Sequence, residues 1–152
     1  MLALVLASGC GAKQAVTAAR TPSLQVRLVA DEPSGSSESF TFTNGQEVVH
    51  LQGAVLLDET AVTATWIWQR GSTVGIDLTL TGPGKVRLAE RTRENIGKRV
   101  GIIIDGRLRS VAEITGEVSS GMLTVTSDWT LEEVDKLARE FDSTGTERSR
   151  AR

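Results

Sequence analysis

Residues 91–107 read RTRENIGKRVGIIIDGR, a stretch that predicts the end of a helix, a glycine stop, a buried strand and a tight turn. Residues 85–96 are rich in good helix formers. Gly97 follows the last apolar residue of that segment, where a left-handed backbone costs glycine nothing. The β-branched run at residues 100–104 then ends in Asp105-Gly106, the pair preferred in a two-residue type I′ hairpin. Residues 85–107 are therefore predicted to form a helix, a strand and a hairpin turn.

A second helix is predicted from Leu131 to Phe141. Thr130 and Glu133 have the spacing of a capping box, and Trp129 with Val134 has that of a hydrophobic staple. Its apolar face is expected at Leu131, Val134, Leu137, Ala138 and Phe141. The buried stripe of the first helix is expected at Val86, Leu88, Ala89, Thr92 and Ile96.

Strands account for most of the remaining regular structure. Residues 24–29 alternate apolar and polar side chains, which is typical of a half-buried strand. Residues 65–69 and 73–80 are predicted to form a hairpin about Arg70-Gly71-Ser72. Shorter strands are expected at residues 40–42, 47–51, 54–57, 107–111, 114–118 and 122–126. These elements predict an α+β fold in which two main helices pack on one face of a mostly antiparallel sheet.

Composition argues against an enzyme or a nucleic-acid-binding protein. The 152 residues suffice for one domain, and a net charge of −2 gives no pull toward nucleic acid. Aromatic residues are 4% of the chain, too few for a stacking platform. His50 is the one histidine and Cys10 the one cysteine, so neither a catalytic triad nor a metal site is expected. We expect no catalytic residue and no cofactor.

The N-terminus predicts lipid attachment. Residues 1–7, MLALVLA, resemble the apolar core of a signal peptide, and residues 7–10, ASGC, resemble a bacterial lipobox. The prediction is a signal peptide at residues 1–9, a lipid on Cys10 and a flexible tether over residues 10–23. The alternative is that Cys10 is a small buried hydrophobe of a cytosolic chain.

The rest of the chain divides into a domain and a tail. The domain is expected at residues 24–142, followed by a disordered tail at residues 143–152 that lacks apolar anchors. By analogy with lipoprotein sorting, Gly11 after the cysteine favours an outer membrane facing the periplasm in a Gram-negative cell.

Two surface features leave alternatives open. Trp66 and Trp68 share one strand face, where they either pack against a helix or form an exposed contact for a partner. A basic cluster lies at the end of the first helix, either contacting headgroups or an acidic partner, or simply solvated beside the helix dipole. Its members are Arg91, Arg93, Lys98 and Arg99.

Residues 90–107, read with residues 79–82 before them and the helix from Thr130 after them, resemble the head subdomain of the first periplasmic domain of SecD. SecD is part of the bacterial protein-export machinery. The matching positions are Leu78, Thr79, Leu80, Thr81, Gly84, Thr92, Asn95, Gly97, Lys98, Arg99, residues 102–106, Thr130, Glu132, Glu133, Leu137 and Ala138. The chain departs from the family pattern at Ala112, in place of proline, and at Ser127-Asp128, in place of glycine.

The resemblance implies a non-catalytic binding module of the cell envelope that contacts exported polypeptide or a secretion or envelope complex. SecD couples proton flow to export through a membrane-spanning bundle, and no run after residue 10 approaches the roughly 20 apolar residues that a span requires. We therefore expect a lipid-anchored binding module and no proton-driven motor. The alternative is a structural envelope lipoprotein without a role in export, since fold does not dictate function.

Overall fold

The computed structural model describes residues 22–42 and 47–150, with side chains up to residue 143. The predicted signal peptide, Cys10 and residues 10–21 of the tether lie outside the described residues. The elements in chain order are β1 (Leu24–Val29), β2 (Ser37–Thr41), β3 (Val48–Asp58), a 3₁₀ turn (Glu59–Ala61), β4 (Val62–Arg70), β5 (Thr73–Leu80), α1 (Gly82–Glu94), β6 (Arg99–Ile104), β7 (Arg107–Glu113), β8 (Met122–Ser127) and α2 (Leu131–Arg150).

The strands form two antiparallel sheets. The larger sheet has the order β2-β3-β1-β6-β7, and the smaller sheet has the order β4-β5-β8. The prediction of mostly antiparallel strands with two helices is confirmed, but the strands do not form one sheet. Packing of both helices on one face is not confirmed, since α2 packs on β4 and β5 whereas α1 contacts β3 and β5.

The main core lies between the two sheets and the two helices. Leu24 and Val26 of β1, Ile76 of β5 and Val134 of α2 all belong to one buried cluster. The opposite face of the larger sheet has its own cluster, which includes Leu51 of β3. β2 also approaches β7, so the larger sheet curls around this second cluster. The larger sheet is thus apolar on both faces: one face packs into the main core, and the other packs on side chains of the sheet's own strands.

Both predicted hairpins are confirmed. Ile104 pairs with Arg107 across the two-residue turn. Asp105 and Gly106 have φ values of 50° and 74°, as a type I′ turn requires. β4 and β5 pair from residue 62 to residue 80. Gly97 is left-handed, with a φ of 84°, although α1 already ends at Glu94 and is capped by Asn95.

The predicted buried stripe of α1 is wrong at two positions. Val86 and Ile96 are 56% and 55% exposed. The buried residues are Gly84, Leu88 and Thr92, a strict four-residue spacing. The buried face of α1 is therefore narrower than predicted, because the helix packs on its neighbours through a single row of residues four positions apart.

α2 is longer than predicted, since its backbone stays helical to Arg150 where a disordered tail is expected from residue 143. Residues 142–150 contain no proline, and each residue added to a formed helix gains a backbone hydrogen bond.

Two strand predictions are also wrong. β3 runs without interruption where two short strands are expected. Residues 114–118 form no strand, because their backbone groups bond to the end of α1 and the loop after it. The Ile114 N–H donates to the Lys98 carbonyl at 2.8 Å, and the Val118 N–H donates to the Thr92 hydroxyl at 2.9 Å.

Candidate functional site

The smaller sheet has one face turned toward the core and one turned away from it. Val74, Ile76 and Leu78 of β5 are buried on the core side. The opposite side, here called the outer face, consists of three rows of paired residues from β4, β5 and β8. The rows are Ala64, Thr79 and Met122; Trp66, Asp77 and Thr124; and Trp68, Gly75 and Thr126.

Trp66 is the most exposed aromatic side chain that the structure describes, at 71%. Met122 on the same face is 45% exposed. No described helix covers the centre of the outer face, because α2 packs on the other side of β4, where the Thr65 hydroxyl bonds to the Asp142 carboxylate at 3.0 Å. The outer face thus presents an uncovered indole ring among threonine side chains.

Trp68 is fixed in place, unlike Trp66. Its ring lies directly over Gly75, where a Cβ atom would come within 2.4 Å of it. The Trp68 indole N–H donates to the Asp77 carboxylate at 3.2 Å, and the Thr124 hydroxyl donates to the same carboxylate oxygen at 2.7 Å. The Arg70 guanidinium lies 5.3 Å from the ring centroid, within range of a cation–π interaction. These contacts hold the half-buried Trp68 side chain in place beside Trp66.

The structure places the two predicted contact residues, Trp66 and Trp68, side by side on one strand face. Both lie on the face opposite to α2, so the packing of Trp66 and Trp68 against a helix is wrong. The register explains the difference. A three-residue turn at residues 70–72 would place Trp66 opposite Ile76, but the observed two-residue turn places it opposite Asp77. A slip of one residue exchanges the two faces of a strand.

A groove runs between β4 and α2, and sequence reasoning missed it. Its lining residues are Thr65, Trp66, Ile67, Asp135, Ala138, Arg139 and Asp142. The two sides are some seventy positions apart in the chain, as the Thr65–Asp142 bond shows with its separation of 77. The spacing of Asp135, Arg139 and Asp142 on one helix face is the one signal that the sequence carries.

The N-terminus of α2 is capped as predicted. The Thr130 N–H donates to the Glu133 carboxylate at 2.8 Å, and the Glu133 N–H donates to the Thr130 hydroxyl at 3.2 Å. The bonds from the Thr130 backbone and hydroxyl lower the pKa of Glu133 below its ordinary value. Trp129 and Val134 are both buried in the main core, as a staple requires.

The predicted basic cluster is neutralised by neighbours on the protein. Arg91 lies 3.3 Å from Glu94, Arg93 lies 3.9 Å from Glu117, and Arg99 lies 3.3 Å from Glu47. The Lys98 ammonium donates to the Asn95 side chain at 3.0 Å. The structure therefore favours a solvated helix end over a free basic surface.

Chemistry-bearing groups are sparse in the described ranges. The His50 Nδ1 atom lies 3.0 Å from the Ser39 hydroxyl on the neighbouring strand. Within residues 22–42 and 47–143 no group of three histidine, cysteine or acidic side chains is placed to hold a metal ion. None of the described helices has the length and apolarity needed to cross a membrane.

Comparison with solved structures defines the class of the protein through its fold. A SecDF described as a membrane component that enhances protein export has a TM-score of 0.64, with 20% identity over 82% of this chain and 64% of that chain. SecDF in a super-membrane-facing form has a TM-score of 0.65, with 20% identity over 82% of this chain and 19% of that chain. The chain therefore has the fold of a SecDF domain.

Sequence comparison gives the family. SecDF of Thermus thermophilus is 32% identical over 58% of this chain and 11% of its own length. SecD of Rickettsia conorii is 30% identical over 60% of this chain and 18% of its own length. The profile of the SecDF P1 head subdomain matches residues 37–144, so the chain belongs to that family. The predicted resemblance to the SecD head is confirmed, and the chain spans about a fifth or less of these relatives.

Proposed function

We propose that the chain is a non-catalytic binding module of the bacterial cell envelope that contacts exported polypeptide through its outer face. The observation that carries the proposal is Trp66, 71% exposed on a sheet face that no described helix covers at its centre. Aromatic residues of this kind are the commonest anchors of protein interfaces. Membership of the SecDF P1 head family gives the export context.

The proposed location is outside the cytoplasm. SecDF relatives are protein translocase subunits, and the fold neighbour is described as enhancing export. The domain is held to the membrane by a lipid on Cys10, and Gly11 directs it to the periplasmic side of the outer membrane in a Gram-negative cell. Mass spectrometry of the membrane-extracted protein tests the anchor. A lipidated N-terminal cysteine is expected, and an unmodified Met1 or Cys10 would refute it.

Binding is tested with the full chain and an unfolded protein. The probe is reduced, carboxymethylated lysozyme, which exposes its backbone and apolar side chains. We expect measurable affinity, and a Trp66→Ala substitution should weaken it about tenfold because the anchor is lost. Val48→Ala is the matched control, since Val48 is 59% exposed on the larger sheet. Equal weakening by both substitutions, or no binding at all, would contradict the proposal.

A structural role in the envelope without contact to exported protein is the second candidate. The ion pairs within the predicted basic cluster favour the structural role, because they pair the arginine side chains near the end of α1 with carboxylates of the same protein. Cross-linking in intact cells separates the two roles. A photo-reactive residue in place of Trp66 should capture secreted proteins in transit under the binding role, and only resident envelope proteins under the structural one.

A further inference from the structure

β4 is an edge strand with little protection. It borders β5 on one side, and no strand in the described ranges pairs with its other side. Its sequence is VTATWIWQR, without proline, lysine or any charge before Arg70. Edge strands that avoid pairing usually have such residues, or are covered. A bulge follows Val62, but residues 65–70 pair with β5 in regular register.

The free edge of β4 exposes a regular set of backbone groups. Gly71, with a φ of 59°, begins a two-residue turn, so Arg70 and Thr73 form a hydrogen-bonded pair. Because bonded and non-bonded pairs alternate, the odd-numbered residues of β4 after the bulge direct their N–H and C=O groups away from β5. They are Thr65, Ile67 and Gln69. The bonding of β5 agrees with this alternation. The Leu80 N–H points away from β4 and donates to the Gly121 carbonyl on the β8 side at 2.9 Å.

The groove between β4 and α2 lies beside these groups. One wall is α2, held near β4 by the bond from the Thr65 hydroxyl to Asp142. The other side opens onto Trp66 on the outer face. Side chains of a strand alternate between its two faces. A strand added to β4 would therefore direct one set of side chains toward α2 and the other set toward Trp66.

The two sides of the groove differ in chemistry. The α2 wall has the carboxylates of Asp135 and Asp142 and one guanidinium, Arg139, which lies 2.7 Å from Asp135. Carboxylate oxygens accept several hydrogen bonds each, so this side can accept donors from a lysine or arginine side chain. Trp66 on the other side favours an apolar or aromatic side chain.

We propose that the free edge of β4 binds an extended segment of unfolded polypeptide as an added strand. Basic side chains of the segment face α2, and apolar side chains face Trp66. Backbone hydrogen bonds to Thr65 and Ile67 supply affinity that is independent of sequence, which suits a module that meets many polypeptides. The inference rests on the proposed function and specifies how that binding occurs.

The decisive probe is a capped nine-residue peptide that alternates lysine with valine or phenylalanine. Two further versions have N-methyl groups at either the odd or the even positions, which removes the N–H donors of one edge only. Binding to the wild-type full chain is measured by isothermal calorimetry. One methylated version should bind at least about tenfold more weakly than the unmodified peptide, because two or more backbone bonds are lost. The other should stay within about twofold.

Variants of Thr65 test the same edge from the protein side. Thr65→Pro removes one outward N–H, a position where an edge strand tolerates proline. Thr65→Val is the matched control, since it also loses the hydroxyl bonded to Asp142 but keeps the N–H. Thr65→Pro should weaken peptide binding about fivefold relative to Thr65→Val, with circular dichroism showing that both fold.

Two results would overturn the inference. If both methylated peptides bind as tightly as the unmodified one, the backbone edge takes no part. If carboxymethylated lysozyme still binds and the Trp66→Ala substitution still weakens that binding, the proposed function is supported without the added strand. If sedimentation shows a dimer that Thr65→Pro dissociates and Thr65→Val does not, the edge belongs to a second copy of the chain.

Discussion

The Thr92 hydroxyl joins α1 to the segment that precedes β8. It donates to the Leu88 carbonyl at 2.8 Å within its own helix and accepts the Val118 N–H at 2.9 Å. Thr92 is 5% exposed and is the one buried polar side chain of the described core. The bond therefore explains both the burial of a polar group and the irregular course of residues 114–118.

Removing this hydroxyl should destabilise the domain. We expect Thr92→Val to lower the free energy of unfolding by about 1–3 kcal/mol, because the part-buried Val118 N–H loses its partner. Thr92→Ser retains the hydroxyl and should cost less. Urea denaturation of the two variants and the wild type makes the comparison, and equal stability of Thr92→Val and wild type would contradict the assigned bond.

Gly75 is required beneath Trp68. A Gly75→Ala substitution places a methyl group where the structure leaves 2.4 Å to the ring, so it should cost about 1–3 kcal/mol of stability. In a Trp68→Ala background the same substitution should cost much less, because the ring is absent. A double-mutant cycle by thermal denaturation measures the coupling. Additive effects would mean that the ring does not lie on Gly75.

Trp66 and Trp129 should differ sharply in their effect on stability. Trp129 is 6% exposed in the main core, so Trp129→Ala should lower the free energy of unfolding by about 3–5 kcal/mol. Trp66→Ala should change it by less than about 0.5 kcal/mol, since the ring packs little. Chemical denaturation of both variants tests this. A large loss with Trp66→Ala would show that the residue supports the fold instead of a binding face.

The cap of α2 should make stability depend on pH. Hydrogen bonds to the ionised Glu133 lower its folded-state pKa below the ordinary 4.5. A lowered pKa contributes stability above the unfolded value, and this contribution is lost as pH falls through the folded value. The difference in unfolding free energy between wild type and Glu133→Gln should therefore be constant above about pH 5.5 and shrink below pH 4.5.

The matched control for the cap is Glu132→Gln. Glu132 is the neighbouring acidic residue in the first turn of α2, but Thr130 bonds to Glu133. The urea denaturation midpoint of each variant is measured across the acid pH range. If the two substitutions change the pH dependence of stability equally, that dependence comes from a general charge effect at the helix end and not from the cap.

The sequence by itself determined the features that depend on a few adjacent residues. Asp105-Gly106 defines its turn because both backbone positions need positive φ, which few other residue pairs tolerate. Thr130 and Glu133 define a helix start because each side chain reaches the other's backbone within one turn. Residues 90–107, read with residues 79–82 and the helix from Thr130, also predicted the family, which the match to residues 37–144 confirms.

Only the tertiary structure decided which face of β4 is free. Trp66 and Trp68 make one face of that strand the more apolar one, and Thr65 and Gln69 make the other more polar, so amphipathicity alone predicts burial of the face that is in fact exposed. The choice depends on whether the β4–β5 turn has two residues or three, and the observed turn pairs Trp66 with Asp77. The groove beside β4 likewise depends on α2, seventy positions away, because helix packing is fixed by the whole core and not by either segment alone.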